Sequence, residues 1–307
     1  NGEKYFCSNI GAEVAIVTAR LENGEDGIKG LQLFLVPRYR KDGSLNYLIR
    51  RIKNKIGTRS VPTGEVGFEN AEAIVINEEI PGIYLIMEAL NISRVANAIG
   101  SVSLAQRAIS EAYNFATQRE AFGSKIADLP LLKWEFGKRL EELHAASQLA
   151  WKSAELLNKV WEEKPPYSEN YHYFRFITHM AKYWCAEVAV KHAKWSMEIF
   201  GGLGILEEFK VERLLREAII LPIWEGTPHR QILDGWEVMA RYNLHERLFD
   251  ELEAISPNSG SNIMHNKIQN LLRQSKEEQE TSAGKIFRQL ARTTANALAF
   301  KVTETVI

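Results

Sequence analysis

The spacing of apolar residues changes once along this chain, and the change divides it. Up to about residue 80, short apolar or alternating runs follow one another: Tyr5–Ser8, Val14–Ala19, Leu31–Val36, Tyr47–Arg50, Glu65–Phe68 and Ala73–Ile76. Turn signals separate them at Asn23-Gly24, Asp26-Gly27 and Asp42-Gly43. Pro37, which has no N–H for a ladder, closes the third run. Short strands at this spacing predict part of a barrel or sandwich. From about Gly82 the apolar step becomes three and four residues (Leu90, Val95, Ile99, Val102, Ala105, Ile109, Tyr113, Ala116), which predicts a helix over Leu85–Arg119. Further long helices are expected over Pro130–Glu162, Tyr171–Phe200 and Pro228–Tyr242, with Pro165-Pro166 breaking the chain between the first two of these. Four long antiparallel helices make a bundle. After Asn243 come a shorter helix over Glu246–Ile255, a Pro-Asn-Ser-Gly-Ser turn and one or two more helices. The expected fold is therefore α+β and mostly α. A partial β-barrel-like domain covers 1–82, an antiparallel four-helix bundle covers 83–243 and a helical extension covers 244–307.

Composition narrows the picture. The 307 residues are 45% hydrophobic and 25% charged, with a net charge of −1, which is enough for two domains with real cores. No apolar run approaches the roughly 20 residues that span a bilayer, and no signal-peptide pattern is present, so a cytoplasmic protein without a membrane partner is expected. Cys7 and Cys185 lie far apart without CxxC spacing; a disulfide stays open, and reduced thiols are the expectation. There is no HExxH, and His172, His179 and His192 lack carboxylate or cysteine partners at ligand spacing, so no metal site is expected. Asn1-Gly2-Glu3-Lys4 reads as mid-protein sequence and the closing ALAFKVTETVI stops inside a helical pattern, which suggests a shortened chain.

Candidate chemistry centres on Trp224-Glu225-Gly226-Thr227-Pro228. Thr227 can cap a helix with Pro228 at its first position, which puts Glu225 on the loop just before a helix N-terminus, between an aromatic residue and a glycine. A carboxylate with an apolar wall is the setting of a base; the alternative is a carboxylate favoured by the helix dipole. Upstream stand Phe200-Gly201-Gly202-Leu203-Gly204 and a helix carrying Arg213 and Arg216.

This order, a helix ending in GGxG, then LLRE, then I-W-E-G-T, resembles the C-terminal domain of acyl-CoA dehydrogenases. The Trp before the Glu is nearest to the AidB-like branch. The resemblance covers residues 1 to about 243 and implies FAD, an acyl-CoA thioester substrate, a homodimer or homotetramer, and Glu225 as the base that removes the α-proton. The Glu225 backbone N–H would also donate to the thioester oxygen. It implies that Arg94 lies close to that base; Ser93 stands where some members place the base instead. The opening NGEKYFCSN resembles the family's flavin-contacting strand, which assigns a stacking ring to Phe6 and a flavin-bonding hydroxyl to Ser8. Gln118-Arg119-Glu120-Ala121-Phe122-Gly123 resembles the ERxxFG turn, which assigns Arg119 to the FAD pyrophosphate across a dimer interface and Phe122 to the same cofactor site. Gly201, Gly202 and Thr227 complete the implied cofactor contacts. Departures occur at Ala121, Pro130 and Glu198, where many relatives carry a hydroxyl residue, a glutamine and a glutamine. Relatives also carry an N-terminal helical domain and earlier β-strands that this sequence lacks.

The implied function is FAD-dependent α,β-dehydrogenation of an acyl-CoA. Two other readings stay open: an AidB-like flavoprotein with a protective or DNA-associated role, and a non-catalytic oligomerisation remnant. Residues 244–307 carry eight Lys/Arg and eight Asp/Glu, and only Lys285, Arg288 and Arg292 form a basic stripe, so no tight nucleic-acid binding is expected. The electron-transfer partner is not legible.

Overall fold

The computed structural model describes residues 1–305 except Asn23, Asn77, Glu78 and 258–260; the turns expected at Asn23 and at 258–260 lie outside the described residues. These residues form two compact units, Asn1–Leu90 and Asn91–Ile307.

The first unit contains β1 (Gly2–Ser8), β2 (Val14–Arg20), β3 (Leu31–Pro37), β4 (Leu48–Ile52), β5 (Thr63–Phe68) and the two-residue β6 (Ile74–Val75). The strands do not close into a barrel. They pair antiparallel as two three-stranded sheets, β1-β5-β4 and β2-β3-β6, because β1 takes its partner from β5, far along the chain, rather than from β2. Ile10, Val36, Tyr47 and Val66 form the core of this unit. The register of β1 against β5 slips between Lys4 and Cys7. Such a bulge re-aims side chains locally. Cys7 turns inward against the core, whereas Phe6 (58% exposed) and Ser8 face outward.

Helix α1 (Gly82–Ala116) runs across the boundary between the units, and α2 (Pro130–Val160), α3 (Glu169–Ile199), α4 (Lys210–Ala218), α5 (Pro228–Tyr242), α6 (Leu244–Ile255), α7 (Ser261–Leu272) and α8 (Lys276–Thr305) follow. Between α1 and α2, the two-residue strands β7 (Glu120–Ala121) and β8 (Ser124–Lys125) form a hairpin. Its turn residues Phe122 and Gly123 both have positive φ (56° and 82°), as a type I′ turn requires.

Helix α3 organises the second unit. Tyr173, Phe174, Phe176, Thr178, His179 and Lys182 are all buried, so the helix is enclosed around its circumference rather than along one stripe. It packs against α2, α4, α5 and α8. The chain enters it through Ser168, whose side chain accepts from the Tyr171 N–H, and α5 begins with Pro228 and ends at Asn243 in the left-handed conformation. Helix α8 also lies against α2 and α5. Its Phe287 is fully buried against Gly235 of α5, where an added Cβ would stand 2.6 Å from the ring. The cysteines are free, Cys185 buried in α3 and Cys7 half-buried.

Candidate active site

The segment from Ile219 to Thr227 joins α4 to α5 without a sheet or helix to satisfy its backbone. A buried carbonyl without a partner is costly. Four of these carbonyls are held by side chains from three helices. Asn97 Nδ2 of α1 donates to Leu221 O (3.2 Å). Lys182 Nζ of α3 donates to Pro222 O (2.9 Å) and Gly226 O (2.6 Å). Gln231 Nε2 of α5 donates to Glu225 O (2.9 Å) and Gly226 O (3.1 Å). Arg94 Nε of α1 also donates to Glu225 O (3.3 Å). Arg94 is only 4% exposed and its other contact is Asn91 Oδ1 at 2.8 Å, so it is an interior cation rather than a charge on a solvated helix face.

This clamp fixes Glu225 in an unusual backbone state. Its φ is 56°, left-handed for a side chain other than glycine, and Gly226 follows at φ 97°. A Cβ on Gly226 would meet Gln231 Nε2 at 2.6 Å, so a side chain there would both strain the backbone and displace the Gln231 amide. Glu225 Oε2 is buried and has no hydrogen-bond partner among the described residues. The Leu221, Pro222, Glu225 and Gly226 carbonyls are held, yet the carboxylate oxygen is not. Backbone strain and an orphaned buried acceptor thus coincide at Glu225.

The supporting groups are perturbed by the same burial. The Lys182 ammonium is pushed down to about 8 by desolvation, with the Arg94 charge adding to it. The His179 imidazole is pushed down to about 3, again mainly by burial and then by Arg94. His179 Nδ1 lies 2.9 Å from Gln231 Oε1. Because the Gln231 amide nitrogen is used on the loop, its oxygen must accept, which assigns the proton of His179 to Nδ1.

The other expected residues fall into groups. Thr227 occupies the N-cap of α5 but its hydroxyl makes no capping bond, and it is exposed. Arg119 is exposed at the base of the hairpin, with no side-chain partner among the described residues, and Phe122 at its tip is 93% exposed. Phe115 of α1 stacks on Phe200 at the end of α3 (centroids 4.2 Å apart), which brings the residues leading to Arg119 beside the Gly201-Gly202 pair. An added Cβ at Gly201 or Gly202 would meet nothing within 4 Å, whereas one at Gly204 would stand 2.2 Å from Met197 O. Gly204 thus serves packing, and the pair before it faces open space. Glu198 turns to Lys194. Phe6 and Ser8 belong to the β unit, where Lys53 Nζ stands 4.5 Å over the Phe6 ring and Ser8 Oγ lies 3.3 Å from Thr63 Oγ1. Of the basic stripe on α8, Arg288 is engaged with Tyr183 Oη at 3.0 Å.

Residues 81–240 match the family model for the acyl-CoA dehydrogenase C-terminal domain. The chain belongs to the acyl-CoA dehydrogenase family. It is 33% identical over 245 residues to acyl-CoA dehydrogenase family member 11 of Caenorhabditis elegans, covering 78% of this chain and 40% of that protein. It is 30% identical over 257 residues to the putative acyl-CoA dehydrogenase AidB of Escherichia coli K12, covering 82% of this chain and 46% of that one. The solved structure of C. elegans ACDH-11 in complex with C11-CoA superposes with a TM-score of 0.84 at 27% identity, covering 99% of this chain and 56% of that chain. This acyl-CoA dehydrogenase family chain therefore spans about two fifths to one half of the length of these curated relatives. Among its described residues no helix is long and apolar enough to cross a membrane.

Proposed function

We propose that this chain carries the catalytic base and part of the cofactor site of an FAD-dependent acyl-CoA dehydrogenase, with an acyl-CoA thioester as substrate. The observation that carries the proposal is the buried, unpartnered Glu225 Oε2 on a loop with four clamped carbonyls. A base must be desolvated, oriented and left with a free lone pair, and the clamp supplies all three. Glu225 takes the α-proton. Its own N–H donates to the thioester oxygen, so negative charge developing there meets a fixed dipole. Arg94 and Lys182 hold the loop from behind and touch backbone oxygens rather than the carboxylate, which keeps the lone pair available.

The residues present fit a flavin dinucleotide. Arg119 presents a free guanidinium fork suited to a diphosphate, Gly201 and Gly202 leave backbone approachable, and Phe6 and Ser8 offer an exposed ring and hydroxyl on one strand. Phe122 and the Thr227 hydroxyl complete the set. When bound, FAD supplies the hydride acceptor for the substrate β-carbon. The exposed Phe122, Leu131 and Trp134 support assembly with a second copy of the chain.

The test is Glu225→Gln. The amide keeps the shape and cannot accept the proton. Flavin content should stay near that of the parent, while anaerobic bleaching by acyl-CoA should slow by about 10²–10⁴-fold. Bleaching at the parent rate would remove Glu225 from the role of base.

A further inference from the structure

Helices α6 and α7 bring together three metal-ligating side chains that take no part in the site above. His245 and Glu246 open α6 and His265 lies within α7. One ligand atom from each lies within 4.8 Å of the other two. The Glu246 carboxylate sits between the imidazoles, with Oε1 3.3 Å from His245 Nε2 and Oε2 2.9 Å from His265 Nε2. We propose that His245, Glu246 and His265 form a binding site for one divalent transition-metal ion, with zinc the best match, and that the ion ties α6 to α7.

Three observations carry the proposal beyond proximity. First, the spacing fits. Tetrahedral zinc with bonds of about 2.0–2.2 Å places neighbouring ligand atoms about 3.4 Å apart. The separations of 3.3 and 2.9 Å, one to each carboxylate oxygen, differ from that by no more than half an ångström, and the three ligand atoms lie within 4.8 Å of one another. Second, hydrogen bonding leaves one of the three ligand atoms over. Gln269 Nε2 meets His245 Nε2 and Glu246 Oε1, whereas the buried His265 Nε2 has only its ion-pair contact with Glu246 Oε2 at 2.9 Å. Third, both rings are held in place. His245 is buried. The His265 ring is supported by Phe249, with centroids 5.1 Å apart.

A fourth ligand is at hand. The Gln269 amide lies 3.0 Å from His245 Nε2 and also contacts Glu246 Oε1. Reversing that amide would turn its oxygen toward the same point. Two imidazoles and a carboxylate suit zinc among the common divalent ions, and a fourth protein ligand makes the site structural rather than catalytic.

The experiment uses the untagged full chain, stripped with chelator and titrated with Zn²⁺ by calorimetry and with Co²⁺ by visible absorption. One ion per chain should bind with a dissociation constant of about 10 µM or tighter, Co²⁺ should develop d–d bands, and Zn²⁺ should raise the melting temperature. His265→Ala and Glu246→Gln should each weaken binding at least tenfold, since losing a ligand cannot cost less than losing an outer-shell partner. The His265 and Glu246 side chains are 29% and 49% exposed, so both variants should keep the parent's helical circular dichroism. If one variant loses it, the other decides. Absence of saturable binding in the parent, or parent-like affinity in the folded variants, would overturn the proposal.

Discussion

Replacing Gly226 by alanine tests the loop clamp most directly. The new Cβ would meet Gln231 Nε2 at 2.6 Å and would sit on a residue with φ 97°. The left-handed backbone costs an L-residue about 1–2 kcal/mol. Displacing the Gln231 amide breaks its bonds to Glu225 O and Gly226 O, each with a net contribution of about 0.5–1.5 kcal/mol. The expected destabilisation is therefore about 2–5 kcal/mol. Gly201→Ala is the matched control: its φ is also positive, at 59°, but its Cβ would stand in open space, so only the backbone contribution of about 1–2 kcal/mol applies. Urea unfolding followed by far-ultraviolet circular dichroism reads both, with the slope of the transition checked for constancy. The difference between the two variants isolates the Gln231 contact. If Gly226→Ala is no more destabilising than Gly201→Ala, the clamp does not hold the loop as described.

The remaining predictions concern charge. Arg119→Ala should lower flavin content and the dimer fraction together, by the roughly 1.5–3 kcal/mol that a charged hydrogen bond contributes; gel filtration with flavin absorbance checks this, and a dimer with full flavin contradicts it. His179 binds its proton in the unfolded chain near 6.5 but in the folded chain only near 3. The unfolded state therefore holds more protons between these values, and this contribution to stability is complete above pH 6.5 and is lost as pH falls toward 3. At pH 4.5 the loss relative to pH 7 should be roughly 2–3 kcal/mol. His179→Asn should not show this part of the loss when urea stability is compared at the two pH values, and an equal loss in both proteins would refute the assignment.

The period of the apolar residues was enough to read the six strands, the four long helices and the break at Pro165-Pro166. Strand partners were not legible. Pairing β1 with β5 joins residues about sixty positions apart, and no local pattern encodes that choice. The same limit applies to the site. Glu225 stands out in its five-residue motif, but Arg94 reaches it from 131 positions away. Lys182, Gln231 and Asn97 grip backbone carbonyls, which leave no mark on the identity of the residue being gripped, and His179 bonds to the Gln231 side chain rather than to the loop. The one local signal was a lysine three residues after a histidine inside the largely apolar stretch Phe176–Ala186, so that both share a face. His245, Glu246 and His265 match no ligand motif, because two come from adjacent positions and the third from another helix.

The burial of α8 also constrains how the molecule is made. Phe287, Leu290 and Ala291 complete a core that α3 begins, yet on the ribosome α3 emerges well before them. The roughly 75 residues between the end of α3 and the start of α8, at about 5–20 residues per second, separate the two by some 4–15 s. During that interval the faces of α2, α3 and α5 that receive α8 stay open to solvent. The nascent chain is then a substrate for chaperones that hold apolar helices, and a pause in translation before Lys276 would lengthen its exposure to aggregation more than a pause after it.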